Sequence, residues 1–225
     1  MRLLAMDTAT NACSAALWED GKILARRFEP MSRGQAERLV PLVEEVLEEA
    51  ETDWGGLDAL AVTIGPGAFT GLRIGLSTAR GFALAAGKPL IGVTTLDAVA
   101  HSVPESERED RNVLVALDAK RADVYAQLFD PSLKPISEPV AILPEKLPSL
   151  TGDAPLILAG DYAEAVKSVF GDQATVATGD GLPDAAVVAD LAAAKGIPKD
   201  AMPPAPLYIR PPDATVPKNG GKLRP

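Results

Sequence analysis

The sequence has almost no thiol or imidazole: Cys13 is its only cysteine and His101 its only histidine. That count removes disulfides, Cys/His zinc sites, paired-histidine metal sites and Cys/His catalysis. Aromatic residues are scarce at 4%, and positive charge is outweighed, with 22 Lys and Arg against 31 Asp and Glu for a net charge of −9. This sign is opposite to the footprint of a protein that grips nucleic acid unaided, so any dealing with RNA is expected to be indirect. Long apolar runs are missing too: the most apolar stretch, Phe82 to Val93, is broken by Gly87, Lys88 and Pro89 and is too short to span a bilayer. No basic, apolar leader precedes Leu3, and a lone thiol suits a reducing compartment, so the expectation is a soluble cytoplasmic protein without a membrane partner. What is present is 225 residues, 47% of them hydrophobic, enough for one large domain or two small ones.

The chain opens with the apolar run Arg2-Leu3-Leu4-Ala5-Met6-Asp7, a strand ending in a carboxylate, followed by strand-like runs at Ala12 to Trp18 and Lys22 to Phe28. Asp20-Gly21 between the latter two is a hairpin signal. From Arg33 to Ala50, Ala36, Leu39, Val40, Val43, Val46, Leu47 and Ala50 fall at helical spacing with glutamates on the opposite face, which predicts an amphipathic helix bent or begun at Pro41. A buried strand at Leu57 to Thr63, a helix at Thr70 to Ala86, a strand at Pro89 to Val93 and a short helix at Thr95 to His101 complete the order βββαβαβα. After a polar break the pattern restarts with Val113 to Asp118, again ending in a carboxylate. Asp7 and Asp118 are each followed eleven residues later by a large aromatic, Trp18 and Phe129. Runs at Asp123 to Phe129, Ile136 to Ile142, Pro144 to Leu150, Leu156 to Ala159 and Tyr162 to Val169 give a second βββαβα. Two tandem βββαβα units describe an α/β protein of two actin-like, ribonuclease H-like lobes, expected at residues 1–103 and 104–210. The Pro- and Gly-rich tail, 211–225, is expected to be loosely ordered.

The densest local signal is Gly65-Pro66-Gly67-Ala68-Phe69-Thr70-Gly71-Leu72-Arg73-Ile74-Gly75, a turn between a buried strand and a helix that Thr70 can cap. It reads either as an anion or nucleotide cradle or as a plain tight connection; it lacks the Lys-Ser/Thr ending of a P-loop. In the helix that follows, Gly71, Gly75, Ala79 and Ala83 repeat every four residues and make a stripe nearly free of side chains. An interior glycine costs about 1 kcal/mol relative to alanine, so something must approach closely to offset it. Either the helix's own sheet does so or a partner does. Leu72, Ile74, Leu76 and Leu84 are taken as a second apolar face, which favours a partner and predicts that Gly75→Leu folds but blocks assembly. Arg73 and Arg80 are expected to pair with the neighbouring Glu-rich helix, with phosphate binding as the alternative, His101 to cap a helix or sit in a core, and Cys13 to be buried and inert. The glutamates from Glu44 to Glu51 read as a solvated face by default, or as a surface that meets a basic partner.

The runs Leu4-Ala5-Met6-Asp7-Thr8-Ala9-Thr10 with Cys13-Ser14, Glu37-Arg38-Leu39-Val40-Pro41, the central glycine motif, and Pro206-Leu207-Tyr208-Ile209-Arg210 together resemble the bacterial TsaB (YeaZ) family. The central Gly-Pro-Gly-x-Phe-Thr-Gly-x-Arg-x-Gly run is the specific part of the likeness. Between Pro104 and Pro203 the likeness thins to Ala116-Leu117-Asp118-Ala119-Lys120 and Val124-Tyr125. The sequence reads Gly34-Gln35-Ala36-Glu37 where many members carry His-Ser-Glu.

The resemblance implies a non-catalytic member of the actin-like superfamily that pairs with the paralogue TsaD and the ATPase TsaE to install threonylcarbamoyladenosine in tRNA. TsaD carries the chemistry through a His-x-x-x-His metal site, a pair that a chain with one histidine cannot hold. It further implies that the first two helices form a bundle with TsaD or with a second copy of this chain. The expected contact residues are Glu37, Leu39, Val40, Val43, Leu47, Thr70, Gly71, Arg73, Gly75, Thr78, Ala79 and Phe82. No cofactor is expected. The rival reading is a stand-alone ATP-dependent phosphotransferase, with Asp7 or Asp118 as base and Thr8, Gly65 and Gly67 lining a nucleotide cleft. A protease ranks lower, for want of a nucleophile and base pair.

Overall fold

In the computed structural model, which describes residues 1–198 and 202–210, three strands come first: β1 (Arg2–Asp7), β2 (Ala12–Glu19) and β3 (Lys22–Pro30). Asp20 and Gly21 join β2 to β3 with φ of 45° and 89°, the left-handed pair that a two-residue hairpin requires. Then follow α1 (Gln35–Glu49), β4 (Ala59–Thr63), α2 (Phe69–Ala86), β5 (Leu90–Val93) and α3 (Thr95–His101). A single turn, α4 (Glu105–Arg108), leads into β6 (Asn112–Asp118), β7 (Val124–Phe129), β8 (Val140–Ile142), α5 (Pro148–Thr151), β9 (Leu156–Ala159), α6 (Ala163–Phe170), β10 (Ala174–Val176) and α7 (Ala185–Lys195). The tail at 211–225, and with it the expectation of loose order, lies outside the described residues.

The strands form two five-stranded mixed sheets, β3-β2-β1-β4-β5 and β10-β9-β6-β7-β8, which share one topology. The duplication is in register: Trp18 stands opposite Leu3 across the first hairpin, and Phe129 opposite Val113 across the second. With β10 and α7, the second half repeats the whole βββαβαβα order of the first. Both elements escape the sequence patterns, β10 because it has three residues, α7 because Ala185-Ala186-Val187-Val188-Ala189 leaves no amphipathic period to detect. The strand expected from Ile136 shortens to Val140–Ile142, since only these residues pair along β7 while Ile136 and Ser137 both donate to the Leu128 carbonyl.

Each sheet is covered on both faces. Helices α1 and α2 bury Leu39, Val43, Leu47, Leu76 and Ala79 against Leu4, Met6, Leu17 and Val62 on one face of the first sheet. On its other face α7 packs Ala185, Val188, Ala189 and Ala192 onto Leu3, Ala5, Trp18 and Ile91. In return, α3 crosses to the second sheet and packs Leu96, Val99 and Ala100 on Val113, Val115 and Phe129. Helix α1 runs through Pro41, so the proline does not begin it. The buried Leu39, Leu42, Val43 and Val46 outweigh the missing backbone donor, which by itself costs about 3 kcal/mol.

Candidate functional site

Successive residues of a helix point about 100° apart, so Gly71, Leu72, Gly75, Leu76, Ala79 and Ala83 make one inward face of α2, and all are buried. The small stripe and the leucines Leu72 and Leu76, expected on opposite sides, therefore share a side. The close neighbour that the stripe needs is the chain's own β1–β2 turn. The Thr8 hydroxyl donates to the Gly71 carbonyl at 2.7 Å, and a Cβ on Gly71 would stand 2.2 Å from the Thr8 carbonyl oxygen. A Cβ on Gly75 would stand 2.7 Å from Thr8 Oγ1. Gly75→Leu is thus an overpacked core variant rather than one that folds and blocks assembly, which corrects the expectation drawn from the stripe. Leu39, Val43 and Leu47 on α1 are likewise held in the core.

What remains outward is different in kind. Phe69, Arg73, Ser77, Arg80 and Leu84 line the solvent side of α2, with Phe69 57% and Leu84 86% exposed. On α1, Glu37 is exposed and Val40 is 39% exposed. Thr70 is exposed at the second position of α2 and caps nothing; the N-cap is Ala68, whose side chain cannot accept a hydrogen bond. Thr78 and Phe82 are half-buried, Phe82 against the Trp54 ring at 4.6 Å.

The arginines of α2 hold the C-terminal segment instead of the Glu-rich helix. Arg73 lies over the Phe69 ring at 3.6 Å and donates to the Tyr208 hydroxyl at 3.4 Å, while Arg80 donates to the Pro204 carbonyl at 2.6 Å. Glu45 is already taken by Arg27 and Arg38, and Glu49 by Arg27. Phe69, Leu84 and Tyr208 are the exposed apolar residues that the sequence reading left out of its contact set. The signal for Phe69 and Leu84 was the spacing 69, 73, 77, 80, 84, which marks the face opposite the small stripe; Tyr208 lies outside the helix and carried no such signal.

The candidate cleft residues are not brought together as a phosphate site. Gly65 and Gly67 let backbone approach backbone: a Cβ on Gly67 would stand 2.3 Å from the Ala9 carbonyl oxygen, and one on Gly65, at φ 108°, 3.0 Å from that of Leu207. The turn is filled by its own chain, as in the tight-connection reading, with Ala68 N donating to Ala9 O and Leu207 N to Ile64 O. Asp7 has no exposed surface, and Asp118 is engaged by Lys120 at 2.8 Å and donates its own amide to Asp161. A general base must reach the proton that it removes; Asp7 is shut off from solvent, and Asp118, partly exposed, is paired with Lys120.

His101 is exposed at the end of α3, its Nδ1 2.9 Å from the Asp97 carbonyl oxygen, and burial pushes the Cys13 thiol up to about 12. A cleft of roughly 510 Å³ between the lobes is lined by Arg26, His101, Asp161, Thr178, Asp180 and Asp184. Its Asp184 is paired with Arg26, and its Thr178 hydroxyl and amide are both held by the Glu107 carboxylate. Among the described residues no group of three or more His, Cys, Asp or Glu side chains could hold a metal ion, and no helix is long and apolar enough to cross a membrane.

Residues 29–193 match the protein family described as TsaD: tRNA N6-adenosine threonylcarbamoyltransferase. The tRNA threonylcarbamoyladenosine biosynthesis protein TsaB of Escherichia coli strain K12 is 46% identical over 125 residues, 56% of this chain and 53% of that protein. The chain thus spans about half the length of the curated relatives it matches. A crystal structure of an uncharacterized protein with similarity to peptidase YEAZ, from Pseudomonas aeruginosa, superposes with a TM-score of 0.81 at 30% identity, covering 93% of this chain and 99% of that one. The activator of the 2-hydroxyisocaproyl-CoA dehydratase from Clostridium difficile, with bound ADPNP, shares the fold alone, at a TM-score of 0.51 and 10% identity over 87% of this chain and 95% of that one. The actin-like fold class expected from the repeated strand order is the one observed.

Proposed function

The chain belongs to the TsaB/YeaZ family, and from that premise we propose that it serves the synthesis of threonylcarbamoyladenosine in tRNA as a scaffold subunit that performs no bond chemistry. Its partner is a TsaD-like catalytic paralogue, assisted by a TsaE-like ATPase, and in their absence it pairs with a second copy of itself. The observation that carries this reading is the outer face of α1 and α2, where Val40, Phe69 and Leu84 stay exposed on helices whose other face is already packed. Apolar side chains left exposed along helices that are already packed on their other side support reading that side as an interaction surface. One histidine in the whole chain supports placing the transfer chemistry on the partner, and the net charge of −9 supports an indirect relation to tRNA. Among the groups considered for catalysis, Asp7 and Cys13 are buried.

Size-exclusion chromatography with light scattering, on the chain alone and mixed with the TsaD-type paralogue of the same organism, tests the proposal. The expected result is a homodimer that gives way to a mixed complex. No complex under any nucleotide condition overturns it.

A further inference from the structure

The scaffold reading makes no use of Asp7, whose surroundings are unusual for a carboxyl group. It ends β1 on the face that carries Leu3 and Ala5 and lies under α7, with no exposed surface. Its Oδ1 accepts from the Thr63 hydroxyl at 2.5 Å and from the Ala9 amide at 3.1 Å, while Oδ2 is buried without a partner. Across the hairpin, Asp7 is in register with Ser14, whose Oγ accepts at 3.0 Å from the amide of Ala185, the first residue of α7. Asp184, just before it, caps the helix through Ala186 N at 2.9 Å and pairs with Arg26 at 2.5 Å. A buried oxygen without a partner costs on the order of 1–3 kcal/mol, and more when it is charged. The state of this carboxyl therefore bears on everything packed against it.

We propose that Asp7 is a proton-controlled latch for α7: the neutral carboxyl lets the first turn of α7 seat on Ser14, and the ionised carboxylate lifts that turn so that water reaches Oδ2. The element that gives is α7, because β1 is held on both sides by ladders to β2 and β4. The polar ties of α7 to the sheet are side-chain contacts, and those near its first turn are Ser14 to Ala185 and Arg26 to Asp184; Trp18 Nε1 to Asp190 at 2.6 Å and Lys195 Nζ to the Gly92 carbonyl at 3.2 Å hold the middle and the far end. The charged groups around Asp7 do not offset its ionisation. Asp184 already occupies the positive end of α7, and Arg26 on β3 already serves Asp184. From β4 comes only the Thr63 hydroxyl, and Cys13 on the opposite face of β2 stays a neutral thiol.

Burial raises the Asp7 carboxyl to about 7, and the negative charge of Asp184 acts in the same direction. Once lifted into water it returns toward the ordinary carboxylate value. An acid raised in the seated state seats most firmly at low pH, loosens as pH climbs toward 7, and changes no further above it.

Amide hydrogen exchange of residues 185–195 in the full chain, from pH 5.5 to 8 and normalised to the intrinsic rate at each pH, reads the latch directly. The opening of α7 should rise by up to about tenfold per pH unit to near pH 7 and then level off, and Asp7→Asn should abolish the rise. Fluorescence of Trp18 in a Trp54→Phe background should follow the same curve. If Asp7→Asn does not fold, Asp184→Asn takes its place, and by removing the neighbouring like charge it should move the plateau to lower pH. A flat wild-type profile, a rise that survives in Asp7→Asn, an unmoved plateau in Asp184→Asn, or a rise confined to elements other than α7 overturns the proposal. None of these readouts involves a partner protein, so the latch and the scaffold proposal can fail separately.

Discussion

Glycines of α2 that look alike in the sequence differ in what a methyl group would meet. At Gly71 a Cβ would stand 2.2 Å from the Thr8 carbonyl oxygen, a backbone atom tied into the first hairpin, whereas at Gly81 nothing lies within 4 Å. Gly71→Ala should therefore lower the stability to thermal unfolding by about 1–3 kcal/mol through overpacking, even though alanine is the better helix former. Gly81→Ala should raise it by up to about 1 kcal/mol. Equal effects of the two substitutions would show that α2 does not rest on Thr8. The same scale separates Asp7 from Asp118. The two end equivalent strands, but the second is paired with Lys120 and partly exposed, whereas the first is buried with one oxygen left without a partner.

Among the elements, α2 is divided most sharply between two jobs. Its inward face is buried in the single chain, so changes there report on folding, while its outward face is the one the scaffold proposal assigns to assembly. Leu84, 86% exposed, is the cleanest probe. Leu84→Glu should leave the melting temperature within the small range typical of surface changes, about 0.5 kcal/mol in stability, while light scattering shows loss of the homodimer or of the mixed complex. Burying a leucine contributes about 1.5–3 kcal/mol, so the expected loss of affinity is at least tenfold. An unaffected complex would move the interface off this face.

For the whole molecule, the exchange of α3 and α7 between the sheets couples the two halves. A fragment of residues 1–103 contains all five strands of the first sheet but lacks α7, which would leave Leu3, Ala5, Trp18 and Ile91 uncovered, and its α3 has no second sheet to pack on. Such a fragment should not fold alone, and the full chain should melt in a single transition in calorimetry. A well-dispersed NMR spectrum from the fragment would contradict this. The charge of −9 acts at the same scale: the chain by itself should show no tRNA retention on a filter at moderate salt, and retention there would contradict an indirect role.

The amino-acid sequence by itself determined the alternation of strands and helices, the repeat marked by Asp7 with Trp18 and by Asp118 with Phe129, and the family motif from Gly65 to Gly75. These are properties of local periodicity and turn chemistry, which a linear reading detects. It also determined what the chain cannot do with one cysteine and one histidine. Only the tertiary structure decided which way α2 faces, because a stripe of small residues signals a close neighbour without saying whose backbone it is. Only the tertiary structure added α7, since its outer side too is built largely of alanine and valine and leaves little polar period to detect. The partners of Arg73 and Arg80 were decided there as well, by a segment more than 120 residues away in the chain. The upward shift of the Asp7 carboxyl comes from its burial, which no local pattern contains.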